Sequence, residues 1–155
     1  MRKQFFKSLS KLALKDDDII FLTGDLGYSY MEKFEKYFPD KFINVGCMEQ
    51  SMVGIAVGLA LAGKKPYVYS TLNFLLFRAL EQIRNDVTYM KNNVKIIGVS
   101  MSGFIGFTHE RLHKKEDINI CKNIGLDYYI PKTKEDLDIL LTKVNEEDNP
   151  VYIRL

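Results

Sequence analysis

Cysteine is scarce: Cys47 and Cys121 are the only two in 155 residues. They are too few and too far apart for a disulfide framework or a metal knuckle. Reduced, structural thiols are expected, as in a cytoplasmic protein. Charge of one sign is nowhere concentrated, since the net charge is +2 and the two signs alternate along the chain. A nucleic-acid footprint needs a basic stripe or cluster, so that class of partner is excluded. Lys114-Lys115 is a tight basic pair beyond Met1-Arg2-Lys3, and it reads as solvated surface. No segment reaches the roughly 18 uninterrupted apolar residues of a membrane span. Lysines are spread through Met1 to Leu14, so the apolar block of a signal peptide is missing as well. Also lacking are a Ser- or Pro-rich linker, an internal repeat and the two common Gly-rich phosphate-loop fingerprints.

What remains is a 46% hydrophobic, 27% charged chain of a length that fits one domain over 1–155. Short β-rich runs alternate with helical patterns. The strands expected are Asp18–Thr23, Phe42–Val45, Pro66–Ser70, Val94–Val99, Asp127–Ile130 and Val151–Arg154. The helices expected are Arg2–Leu14, Tyr30–Phe38, Gln50–Leu61, Leu75–Tyr89, Lys115–Asn123 and Lys134–Val144. Ile19-Ile20-Phe21-Leu22 and Val94 to Val99 are apolar almost throughout, the mark of strands covered on both faces. The fold class is therefore α/β, a three-layer α/β/α arrangement with a mostly parallel sheet of about six strands. Ligands of such sheets bind beyond the carboxyl ends of the strands. That rule selects the loops Gly24–Ser29, Ser70–Phe74 and Ser100–His113, with Asn44–Glu49 as a fourth.

Small residues punctuate one helix, at Gly54, Ala56, Gly58, Ala60 and Ala62, so a close neighbour such as another subunit is expected against it. Glu49 opens that helix. Taken alone, it reads as an ordinary carboxylate at a helix N-terminus. The surrounding string, Gly46-Cys47-Met48-Glu49-Gln50-Ser51-Met52-Val53-Gly54-Ile55-Ala56-Val57-Gly58-Leu59-Ala60, resembles the pyrimidine-binding domain of the transketolase family. The resemblance extends through Lys65 to Ser70 and Phe74, Arg78 to Val87, Asn93 to Val99 and Gly106 to His109. It continues in Glu116-Asp117-Ile118 and Asn149 to Leu155, in the family's order.

The resemblance implies thiamine diphosphate as cofactor and Glu49 as the carboxylate on N1′ of its aminopyrimidine. In the family this contact favours the tautomer whose 4′-nitrogen deprotonates thiazolium C2, which turns the cofactor into a nucleophile and electron sink. Met48 lies beside that glutamate and is taken as cofactor-binding with it. Phe74 falls where an aromatic stacks on the aminopyrimidine, with Phe77 as the alternative register; the plain reading of Leu72 to Phe77 is the buried start of a helix. Arg78 divides between an ion pair within the fold and the substrate mouth. His109 aligns with the histidine of the family's Gly-Pro-Thr-His loop, which implies proton transfer to a substrate oxygen, and His113 is a weaker substrate-side candidate. Asp25 and Ser29 would face the thiazolium and substrate, although Ser29 also suits a helix N-cap.

The family holds the diphosphate through Mg²⁺ or Ca²⁺, at a Gly-Asp-Gly motif and a later asparagine. Gly24-Asp25-Leu26 with Asn44 imitates this poorly. No metal site is expected on this chain, and a partner subunit carrying the diphosphate domain is implied, in an α2β2 heterotetramer. The family's C-terminal third domain is expected to be absent too. The implied activity is transfer of a two-carbon ketol unit between sugar substrates. A 2-oxoacid decarboxylase subunit and a non-catalytic binding module are the alternatives. Ile105 and Phe107 stand where sugar-phosphate transketolases carry an acidic residue and a proline, which makes the substrate pocket more apolar.

Overall fold

The computed structural model describes residues 1–99 and 115–155. Its six strands are β1 (Ile19–Thr23), β2 (Phe42–Asn44), β3 (Lys65–Thr71), β4 (Lys95–Val99), β5 (Tyr128–Tyr129) and β6 (Val151–Arg154). They form one sheet in the order β2-β1-β3-β4-β6-β5, and every pairing is parallel. The connecting helices are α1 (Arg2–Ala13), α2 (Glu32–Tyr37), α3 (Glu49–Leu61), α4 (Leu80–Gln82), α5 (Glu116–Ile124) and α6 (Lys134–Glu146). The three-layer α/β/α arrangement expected from the alternation is present, with a sheet that is parallel throughout.

Strand side chains alternate between two cores because successive Cβ atoms point to opposite faces. Phe21, Tyr67, Tyr69, Ile97 and Ile153 pack under α1, α2 and α6, with Phe5, Leu9, Phe34 and Leu141. Leu22, Val68, Ile96 and Tyr152 pack on the other face, with Met52, Val53 and Ala56 of α3 and Ile118 and Cys121 of α5. The first core is aromatic: Phe21 alone has Phe5, Phe6, Phe34, Phe42 and Tyr69 within 6.4 Å between ring centroids. Burying each such side chain stabilises the fold by about 1.5–3 kcal/mol.

Local signals explain where elements begin and end. Thr133 caps α6 in a capping box: its side chain accepts from the Asp136 amide, and Asp136 accepts from the Thr133 amide. Gly125, at φ 75°, ends α5 in the left-handed conformation. The helix expected over Leu75–Tyr89 differs in kind. Phe74–Arg78 and Ile83–Tyr89 form widened π turns, and only Leu80–Gln82 between them is α. π turns are uncommon and concentrate at functional sites. Two elements are shorter than expected by two residues or more: the helix over Tyr30–Phe38 contracts to Glu32–Tyr37, and the strand over Asp127–Ile130 to Tyr128–Tyr129.

Cys47 is exposed and Cys121 buried, and both are free thiols. Burial pushes the Cys121 thiol up to about 12. Among the described residues, no helix is long and apolar enough to cross a membrane.

Candidate active site

Because the strands run parallel, the loops after β1, β2 and β3 emerge on one edge of the sheet. Asn44, the last residue of β2, joins two of them. Its Oδ1 accepts from the Asp25 amide and from the Gly46 amide, each at 3.0 Å. Gly46 takes φ 74°, a left-handed turn that glycine adopts without steric cost. The chain then enters α3, with Met48 as N-cap residue and Glu49 as the first helical residue.

Glu49 is 1% exposed, although it is a carboxylate. Three features make that burial tolerable. It lies at the N-terminus of a 13-residue helix, where the backbone dipole favours negative charge. Ser70, near the end of β3, donates its hydroxyl to Oε1 at 2.9 Å. Arg78 Nη1 donates to Oε2 at 2.5 Å. Space beside the carboxylate is kept by Gly24, where an added Cβ would stand 3.2 Å from Oε1 and 3.4 Å from the Gly46 carbonyl oxygen.

The π turn Phe74–Arg78 brings its last residue back over its first. The Arg78 guanidinium carbon lies 4.2 Å from the centroid of the half-buried Phe74 ring. Arg78 thus makes an ion pair within the fold. Phe77 is 48% exposed, while the same turn directs Leu75 and Leu76 into the core. Met48 is 53% exposed at the rim.

Asp25 and Ser29 are both non-glycine residues in the left-handed region, at φ 59° and 71°. Tyr28 donates its phenol to Asp25 Oδ1 at 2.5 Å, and Asn44 Nδ2 donates to the same oxygen at 3.3 Å. These bonds, the phenol first, hold the Asp25 carboxyl below the usual carboxylate range, and Asp25 raises the Tyr28 phenol in turn. Ser29 is not a helix N-cap: Met31 occupies that position, and the Ser29 amide donates to Glu32 Oε1 at 2.5 Å. His109 and His113 lie outside the described residues, as do Ile105 and Phe107.

Ser70 is a candidate-site residue that the sequence does not single out, and Gly24 and Asn44 stand out in it only as a poor imitation of the diphosphate motif. The only other signal is their position in loops at the carboxyl ends of strands. The spacing of Gly24 and Ser70 to Glu49 carries no motif, because separate crossovers bring them together.

This donor set fits a flat nitrogen heterocycle. One buried carboxylate oxygen and one aromatic face converge, and they already hold a planar N–H group, the Arg78 guanidinium. Among the described residues, no group of three or more His, Cys, Asp or Glu is placed to hold a metal ion.

Comparison with known proteins agrees with this fold. Residues 1–155 match the family model described as transketolase, pyrimidine binding domain. The chain is 37% identical over 159 residues to an apulose-4-phosphate transketolase subunit of Phocaeicola vulgatus, covering 99% of this chain and 50% of that protein. It is 34% identical to a 6-deoxy-6-sulfo-D-fructose transketolase subunit of a Clostridium species, covering 100% of this chain and 49% of the relative. A split-gene transketolase, solved as an inactive beta4 tetramer, superposes with a TM-score of 0.88 at 33% identity, over 99% of this chain and 50% of that one. The transketolase of Campylobacter jejuni shares the fold, with a TM-score of 0.84 at 19% identity, over 99% of this chain and 25% of that one. The chain thus spans about half the length of the curated relatives it matches. With its full length matched by the family model, the chain belongs to the transketolase pyrimidine-binding domain family.

Proposed function

We propose that this chain supplies the pyrimidine-binding half of a thiamine-diphosphate site in a two-component, transketolase-like enzyme of the cytoplasm. The observation that carries the reading is Glu49: a buried carboxylate opening a helix, beside an aromatic face, at the ligand-binding edge of the sheet. When bound, the cofactor supplies the nucleophilic carbon and electron sink for ketol transfer. Glu49 holds or moves a proton at the aminopyrimidine N1′, and Ser70 keeps its carboxylate oriented. Phe74 supports the ring, Met48 and Asp25 border it, and Ser29, His109 and His113 face the substrate, with His109 the proton donor to a substrate oxygen. Phe77, 48% exposed, is the alternative register for that contact.

The diphosphate and its Mg²⁺ or Ca²⁺ are assigned to a partner subunit. Two observations support a partner. Relatives are named as subunits, and the split-gene neighbour was inactive as a tetramer of one chain type. The outer face of α3 is also apolar and open: Gly54, Ile55, Gly58 and Leu61 lie along it, and the two glycines have no atom within 4 Å of an added Cβ. An exposed apolar face of this kind marks an interaction surface, and an α2β2 assembly would bury it. The substrates are sugars, and the pair named for the relatives, apulose 4-phosphate and 6-deoxy-6-sulfofructose, indicates the range to assay.

The test is reconstitution with a protein carrying the diphosphate-binding domain, followed by ketol transfer with wild type and Glu49→Gln. Loss of a positioned acid–base group costs about 10²–10⁴-fold in rate, so a fall of at least a hundredfold is expected. Turnover within a few-fold of wild type sinks the proposal. Release of CO2 from a 2-oxoacid would show a decarboxylase instead.

A further inference from the structure

We propose that Arg78 is a displaceable plug, which holds the Glu49 carboxylate and the Phe74 face until the aminopyrimidine takes both from it. This inference rests on the assignment of Glu49 and Phe74 as the pyrimidine site.

Three observations carry it. First, the guanidinium makes both contacts expected of the ring: an N–H bond to Glu49 Oε2 at 2.5 Å, and a stack over Phe74 at 4.2 Å. A planar heterocycle and a planar guanidinium cannot occupy one carboxylate edge and one aromatic face together. Second, the described residues close the other approaches to Glu49. Ser70 holds Oε1, Gly24 lies against the same oxygen, and the residue is 1% exposed. The side from which a ring can reach the carboxylate is the side Arg78 covers. Third, Arg78 has a way out. Its side chain is 41% exposed, so the charged head can swing into water without crossing the core.

The arrangement also has a physical reason. A buried carboxylate without a partner is strongly disfavoured. Arg78 satisfies it with a charge-assisted bond, the stronger class of hydrogen bond, while its aromatic stack adds a cation–π contribution. Cofactor entry is therefore an exchange. The bond broken is Arg78 to Glu49, the bond formed is aminopyrimidine to Glu49, and Arg78 stays protonated in solvent. Affinity is lowered by the fraction of time the plug is closed.

The experiment uses the full chain and the free aminopyrimidine portion of thiamine (its hydroxymethyl alcohol) as probe. NMR titration gives the dissociation constant, and the Arg78 Nε–Hε resonance reports the guanidinium directly. In wild type that resonance is expected to move to the position of a solvated arginine as the probe saturates. In Arg78→Ala the probe is expected to bind about tenfold tighter, as a plug closed nine-tenths of the time requires. Arg78→Lys keeps the charge but loses the planar fork, so it should fall between the two. An Arg78 resonance that stays put at saturation, or an Arg78→Ala affinity that is unchanged, weaker or undetectable, overturns the plug. A different result overturns the site itself: Glu49→Gln and Phe74→Ala binding the probe as well as wild type.

Discussion

Ser70 Oγ and Glu49 Oε1 are joined by a 2.9 Å hydrogen bond that links the end of β3 to the first residue of α3, 21 positions apart. Both groups are buried, so the bond holds the carboxylate in one rotamer where water cannot substitute. A hydrogen bond to a charged group contributes about 1.5–3 kcal/mol. Ser70→Ala is expected to lower kcat of the reconstituted enzyme by about ten- to a hundredfold, with the melting temperature changed by only a few degrees. Gly24→Ala acts on the same oxygen from the other side. Its Cβ, 3.2 Å from Oε1, must push the carboxylate out of line. Weaker cofactor binding in a chain that still folds is the outcome to measure, by titration and circular dichroism.

The outer face of α3 separates folding from assembly. Gly58 has open space where a side chain would go, and glycine inside a helix costs about 1 kcal/mol relative to a good helix former. Gly58→Leu should therefore raise the melting temperature of the isolated chain while weakening association with any subunit packed closely on α3. Thermal melts together with light scattering of the mixed subunits will show both effects. Unimpaired assembly would remove α3 from the interface.

Asp117 anchors α5 to the sheet. It is 1% exposed, accepts from the Tyr152 hydroxyl at 2.9 Å and takes Arg154 Nη1 on its two oxygens at 2.9 and 3.2 Å. Removing one partner of a buried ion pair costs about 3–5 kcal/mol, and Asp117→Ala should approach that in urea denaturation. Tyr152→Phe should cost only about 1 kcal/mol. Gly98→Ala is expected to be worse than either, because a Cβ there would stand 2.5 Å from the Tyr152 hydroxyl oxygen.

Lys95 gives a pH signature. Its side chain is buried at the start of β4, donating to Asn93 Oδ1, to the Glu147 carbonyl at 2.9 Å and to the Asn149 carbonyl at 2.6 Å. Burial pulls the ammonium down to about 8, from an ordinary value of 10.5. Between those two values the folded chain has released a proton that the unfolded chain still binds. Stability from this group therefore rises with pH across that window and is flat below it. Comparing wild type with Lys95→Met isolates it from other titrations. The difference in unfolding free energy at pH 7.5 and at pH 9.5 should change by about 1–2 kcal/mol, in favour of wild type at the higher pH. The same variant should be less stable overall at pH 7, since two backbone carbonyls and the Asn93 amide oxygen lose their donor.

Much was readable without coordinates. The apolar runs Ile19 to Leu22 and Val94 to Val99 specified strands covered on both sides, and they are central strands of the sheet. Phe5 and Leu9, four residues apart in the helix expected over Arg2–Leu14, share one face of α1, and both are fully buried. Helix class within Leu75–Tyr89 was not readable. Whether a turn closes at i+4 or widens to i+5 depends on what packs against it, and propensity does not distinguish the two. For the same reason the run Leu72 to Phe77 could not show that Phe74 stays with the carboxylate while Phe77 turns outward.

Glu49 shows the division most clearly. Sequence by itself determined its place at the start of a helix and the family to which its flanking string belongs, because both are local properties of consecutive residues. Only the tertiary structure decided what surrounds it: Ser70 on one oxygen, Arg78 on the other and Gly24 alongside. Those residues come from two other stretches, Gly24 after β1 and Ser70 to Arg78 from β3 into the π turn, joined to Glu49 by crossovers whose lengths carry no record of the meeting. Burial and pairing of a charge are properties of the assembled sheet edge.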